Sequence, residues 1–215
     1  TMKAEKKGPK APVKKNEPKE TEYQKLMKKG GTVMDGMFRV RHIEDKYYFE
    51  VPDSTLGRYI LCVTRFTAVP QNFGQFAGEE LTHSTIYFEK RDTSQIMIRQ
   101  YVLSHLANNK DNISRTLEQS TIDPIVQAFK IIGRNEEKDA SLIEVTSLFN
   151  SDNNLTSFSS TDKTALKVGG IQKDRTFIDT MKVFPTNIEI ATTRTYGAST
   201  SRSEASRTGT ITMAF

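Results

Sequence analysis

The chain has 215 residues, with 31 lysines and arginines against 26 aspartates and glutamates, a formal net charge of +5 and a single cysteine. Its length suits one large domain or two small ones. No apolar run approaches the ~20 residues of a membrane-spanning helix, and one cysteine permits no intramolecular disulfide, so the redox compartment is not readable. Residues 1–30 hold ten lysines and four glutamates, which leaves 21 basic and 22 acidic residues in the remainder. The basicity belongs to the tail, and a nucleic-acid-binding role, which needs a basic face on a folded body, is set aside.

Residues 1–20 mix Lys, Pro, Glu and Ala around an isolated Val13. They cannot bury enough apolar surface to offset the entropy of ordering, so a disordered basic linker is expected. Thr1-Met2 is an unusual opening, consistent with an export signal or lipid anchor removed upstream. Attraction of the polybasic tail to anionic lipids or acidic envelope polymers is its alternative use. Next, Thr21 to Lys29 carries a helix signature: Thr21 as cap, Glu22 in the first turn, lysines in the last and Gly30-Gly31 beyond. Tyr23, Leu26 and Met27 share one face and should dock on a sheet.

Phe38–His42 and Tyr47–Val51 alternate apolar with polar residues, the period of a half-buried strand, with Glu44-Asp45-Lys46 as the polar connection. Pro52-Asp53-Ser54 supplies turn chemistry. Tyr59–Val63 is almost continuously apolar and is expected to be buried on both faces. After a glycine-bearing loop over 71–80, Thr82–Glu89 and Gln95–Leu103 read as a strand pair around Arg91–Ser94, with Ile86 and Phe88 on one face. A short helix is expected over 113–119, capped by Asn112. Ile125–Ile132 and Leu142–Thr146 form a further pair around the charged loop 133–139. The Ser/Asn/Asp/Thr-rich stretch 150–167 reads as an exposed loop or domain joint. Asp174 is expected to cap a short helix with Phe177, Ile178 and Met181 inward. Ile188–Thr195 and Thr210–Phe215 are strands separated by a linker over 197–208. The apolar ending, with no polar residues after it, leads us to expect that a longer natural protein continues beyond it.

The segments Gly36-Met37-Phe38-Arg39-Val40, Lys46-Tyr47-Tyr48-Phe49-Glu50-Val51-Pro52-Asp53-Ser54 and Leu56-Gly57-Arg58 follow one another in a set order. Further on come Asp123-Pro124-Ile125, Glu144–Phe149, Asp174–Ile178 and Phe184-Pro185. In this series the chain, over roughly residues 21–215, resembles the amino-terminal, non-catalytic region of a family of large bacterial zinc-dependent metallopeptidases. The resemblance implies an exported, extracytoplasmic protein whose partner is a downstream catalytic domain of the same polypeptide, with peptide or protein as its substrate. It also implies zinc in that downstream domain, held by an H-E-x-x-H helix. No such motif occurs among His42, His83 and His105, so no zinc or other cofactor is expected in this chain.

The remaining candidates reduce to bland readings. Cys62, inside an apolar strand, reads as a small buried hydrophobe. His42 reads as a packed or edge histidine, and a three-histidine zinc site with His83 and His105 has no spacing to support it. Glu44, Asp45, Glu79 and Glu80 lie in loops where solvation explains them. Gly74, Gly78, Gly169 and Gly170 lack the context of a dinucleotide or phosphate loop. Of the aromatics Tyr47, Tyr48, Phe49 and Phe66, only Tyr48 is expected at the surface. No catalytic, cofactor-binding or metal residue is therefore named. The expected fold is mainly β, with antiparallel hairpin-built sheets and a few short helices: a linker over 1–20, a β-rich domain over 21–150 and the start of a second β-containing domain over 151–215. The leading function is a non-catalytic accessory region of the metallopeptidase. A stand-alone cell-envelope module binding glycan or protein is the alternative, and a hydrolase with its site wholly inside this chain is the third.

Overall fold

The computed structural model describes residues 20–71, 73–102, 122–198 and 204–214, with backbone alone for residues 198 and 204–212. The expected tail up to residue 19, the helix over 113–119 and His105 lie outside the described residues. Thr21 opens α1 (Glu22–Lys28) with a capping box: its hydroxyl accepts from Gln24 N at 3.2 Å while Gln24 Oε1 accepts from Thr21 N at 3.0 Å. Three strands follow, β1 (Thr32–Met34), β2 (Arg39–Ile43) and β3 (Lys46–Pro52). Glu44 takes the left-handed conformation (φ 58°) that lets two residues turn β2 into β3. Beyond these lie β4 (Ile60–Ala68), β5 (Glu80–Lys90), β6 (Gln95–Gln100), β7 (Ile125–Arg134) and β8 (Ala140–Glu144). The chain ends with α2 (Thr146–Asn150), α3 (Ser160–Leu166), β9 (Val168–Ile171), β10 (Phe177–Val183), β11 (Asn187–Ala198) and β12 (Glu204–Ala214).

The strands form one sheet in the order β1-β2-β3-β8-β7-β6-β5-β4-β12-β11-β10, with β9 also paired to β11. Strands β2 and β5 are five places apart, roughly 24 Å along the sheet. Yet Phe38, just ahead of β2, meets Phe88 of β5 edge-to-face with ring centroids 5.6 Å apart. The sheet must therefore curl so that its inner faces converge. Its two ends also touch, where Met37 N donates to Phe184 O at 2.8 Å. A Cβ on Gly36 would stand 2.5 Å from that same oxygen, so only glycine permits the approach.

Inside the curl lies one apolar core that joins Phe38 and Phe49 to Met181, Ile188 and Met213. Leu148 and Phe149 of α2 and the following Leu155 fill its interior. A smaller cluster forms outside β3, where α1 lays Tyr23 over Tyr48 and Leu142. Gly133 makes that contact possible, because a Cβ there would lie 2.6 Å from Tyr23 Cβ.

Several expectations are corrected. β4 is buried on one face only: Ile60 and Cys62 are interior, whereas Tyr59 and Leu61 are 57% and 46% exposed. Tyr48 is not a surface residue, because α1 covers it. Residues 150–167 are exposed only in part, since α3 has no buried residue but the segment before it turns inward. Leu155, Thr156, Ser157 and Phe158 are buried, and Ser159 caps α3. Asp174 starts no α-helix; a 3₁₀ turn leads into β10, paired with β11. A bulge between Ile178 and Thr180 sets Ile178 and Met181 on the same face three residues apart, which is the spacing of a helix. Phe177 is left 56% exposed. The expected linker over 197–208 is shortened from both sides, since β11 runs to Ala198 and Glu204–Ser206 pair with Arg194–Tyr196. The sheet also runs across the division expected at residue 150, because β12 pairs with β4.

Candidate functional site

The residues that carry the family resemblance occupy scaffold positions. Tyr47, Phe49 and Val51 point into the main core. Glu50, 2% exposed, points to the other face, where Arg41 Nε donates to its Oε1 at 2.5 Å and Arg39 Nη1 stands 3.7 Å from Oε2. Burying a charged group is costly unless it is paired and hydrogen-bonded. Asp53 receives both arms of the Arg134 guanidinium, at 2.7 and 2.5 Å, and that bond holds its carboxyl below the ordinary range. Arg134 thereby ties the turn after β3 to the β7–β8 hairpin.

The titratable candidates are dispersed. His42 stacks on Tyr47, its cross-strand neighbour, at 4.2 Å and 7°. His83 lies on the outer face of β5, where its Nδ1 is 2.6 Å from Glu80 Oε1. The two histidines do not fit a shared zinc site, and among the described residues no group of three or more His, Cys, Asp or Glu is placed to hold a metal. Glu44 pairs with Lys29 and Glu80 with Arg65. Cys62 is 1% exposed, and burial pushes its thiol up to about 12, the opposite of an activated nucleophile.

Two arrangements have no counterpart in the sequence reading. The first is Arg194, fully buried inside the curl. Its Nη2 donates to Phe149 O at 2.5 Å and Thr156 Oγ1 at 2.9 Å, and its Nη1 to Ser157 Oγ at 2.5 Å. Burial lowers its pKa, and the nearby Tyr196 hydroxyl and Asp152 carboxylate act in the other direction. Asn153 completes the clasp: its Oδ1 accepts from the amides of Leu155 and Thr156. The guanidinium fork thus fixes the 149–157 segment as an inner plug.

The second is an aromatic face on the outside of β4–β7. Tyr87, Arg99 and Ile125 are direct cross-strand neighbours, as are Leu61 and Thr85. Tyr59, just ahead of β4, contacts Tyr87 edge-to-face at 5.9 Å and Tyr101 at 4.8 Å with a 41° tilt. Tyr87 Oη donates to Asp123 Oδ2 at 3.0 Å; burial first, then this bond, raises its pKa to about 12. Arg99 Nη1 donates to Asp123 O, which fixes the rim. Tyr59, Leu61 and Ile125 are 57%, 46% and 49% exposed, whereas Met97 on the same face is 3% exposed, so the outward apolar groups are Tyr59 and Leu61 at one margin and Ile125 at the other.

A family model described as Domain of unknown function (DUF5117) matches residues 78–215, and a second described as Domain of unknown function (DUF5118) matches residues 20–69. Comparison with curated proteins and with solved structures gives no match.

Proposed function

We propose that this chain, which belongs to the DUF5117 family, is the non-catalytic, accessory amino-terminal region of an exported bacterial zinc-dependent metallopeptidase. Its work is packing: it folds with and positions a catalytic domain that follows it in the same polypeptide outside the cytoplasm. The observation that carries this reading is the fate of the residues that resemble that family. Phe49 and Val51 build the core, Glu50 is clasped by Arg41, and Asp53 pins the β7–β8 hairpin. Side chains committed to such contacts are scaffold, and scaffold is what a region without the zinc motif would supply.

The test has two parts. Reading the parent polypeptide beyond Phe215 should find H-E-x-x-H, and the parent should cleave peptide in a chelator-sensitive manner while this chain alone does not. Cleavage by this chain, or a parent without the motif, would refute the proposal. A second reading, a stand-alone envelope module that binds glycan or protein, draws support from the exposed Tyr59 face. The mutual tilts of 73° and 41° weigh against glycan, because three rings so inclined offer no common plane on which successive sugars could stack.

A further inference from the structure

We infer that the outer face of β4–β7, built on Tyr59, Leu61, Tyr87, Arg99, Tyr101 and Ile125, is the docking surface for the polypeptide that continues beyond β12. This rests on the proposed reading that a domain follows in the same chain, and it names the surface that domain occupies.

Three observations lead to it. The first is composition: tyrosine, arginine and aliphatic side chains at the centre, with a polar rim, are what protein interfaces concentrate. Here Asp123 and Glu89 form that rim, each bonded to a member of the face: Asp123 accepts from Tyr87 Oη and Glu89 from Arg99 Nε. The second is preorganisation. Tyr87 is held by Asp123, Arg99 by Glu89 and the Asp123 carbonyl, and Tyr59 by two ring contacts. Side chains already fixed lose little freedom on binding.

The third observation is chain geometry. β12 runs antiparallel to β4, with Met213 opposite Cys62 and Ala214 opposite Leu61. The carboxyl end of β12 is therefore delivered to the edge of the face, within one residue of Leu61 and two strands from Tyr87. A following domain is tethered there at short range, so its effective concentration over the face is high, of order mM for a short linker. A weak apolar contact then suffices to close the interface.

The experiment is tyrosine-selective nitration, read by mass spectrometry, on the parent polypeptide and on this chain under native conditions. Tyr59 should be modified in this chain and lose that modification in the parent, while Tyr23, buried between α1 and the sheet in both, stays unmodified. Leu61→Asp in the parent should restore nitration of Tyr59, and the same substitution in this chain should lower its urea midpoint by no more than about 0.5 M, since Leu61 faces outward. Equal nitration of Tyr59 in both proteins would overturn the inference even if the parent carries H-E-x-x-H. Protection already present in this chain would overturn it too: concentration-dependent protection would put a second copy on the face, and concentration-independent protection would put residues 103–121 there. A parent with protected Tyr59 but no zinc motif would sustain the docking surface and refute the metallopeptidase reading.

Discussion

Gly36→Ala puts the closure of the sheet under direct strain. The new methyl would sit 2.5 Å from Phe184 O and 2.7 Å from Val183 Cγ1, both inside van der Waals contact. The oxygen belongs to backbone and cannot rotate away, so the end of β10 must retreat, and the bond from Met37 N to Phe184 O, now 2.8 Å, is lost. Overpacking of this kind costs about 1–3 kcal/mol, and the hydrogen bond adds about 1 kcal/mol. Against this stands the gain of roughly 0.4–1 kcal/mol from a stiffer unfolded chain when alanine replaces glycine without strain. The clash wins, and the net is a loss of about 2 kcal/mol. With an m-value near ~2 kcal/mol per molar urea, the midpoint should fall by about 1 M. Met37 amide exchange should also accelerate. Gly170→Ala is the control, because a Cβ there meets nothing within 4 Å, and its midpoint should hold or rise. A Gly36→Ala midpoint equal to or above that of the parent sequence would refute the closed arrangement.

Glu50→Ala should destabilise the fold by about 3 kcal/mol in urea denaturation, the low end for breaking a buried ion pair, because the partner Arg41 keeps 18% side-chain exposure. Cys62 should resist iodoacetamide at pH 8 in the native protein and react once urea unfolds it, as its pKa near 12 and its burial require; native labelling would contradict the placement of β4. Asp53 has a lowered pKa in the folded state, so the stability it contributes is present above its ordinary value of 3.8 and is lost as pH falls through the lowered one. Asp53→Asn should accordingly flatten the fall of the urea midpoint with acid below about pH 4, and an unchanged slope would separate Arg134 from that role.

The hairpins were legible because their information is local. In β2–β3 the strands alternate, β7 and β8 are mainly apolar runs, and both turns carry their own chemistry within a few residues. What failed depends on partners far along the chain. Tyr48 alternates into the outer face, and only the docking of Tyr23 from α1 reveals that this face is covered. The polar segment 150–159 looks solvated, yet Arg194, some forty residues away, supplies the donors that let Thr156 and Ser157 be buried. β10 misled through its bulge, which converts a strand's period of two into an apparent helical spacing. For the outer face, the run Tyr59–Val63 announced apolar content without direction. That Tyr59, Tyr87 and Tyr101 meet follows from the β4–β5–β6 register, which no single segment encodes.

That register also bears on how the two matched segments relate. The segment 20–69 supplies β1–β4, and 78–215 supplies β5–β12. In the sheet, β4 is separated from β1–β3 and lies between β5 and β12, with hydrogen-bonded partners on both sides from the other segment. β3 likewise completes its outer side only through β8. Neither segment can satisfy its own strand edges, and an unpaired interior edge exposes a full row of backbone donors and acceptors. The shared core gives the same result, since Phe49 of the first segment contacts Phe149 of the second at 6.1 Å. The two segments contribute interleaved strands to one continuous sheet. The outer face of β4–β7, drawn from both segments, exists only when they fold together.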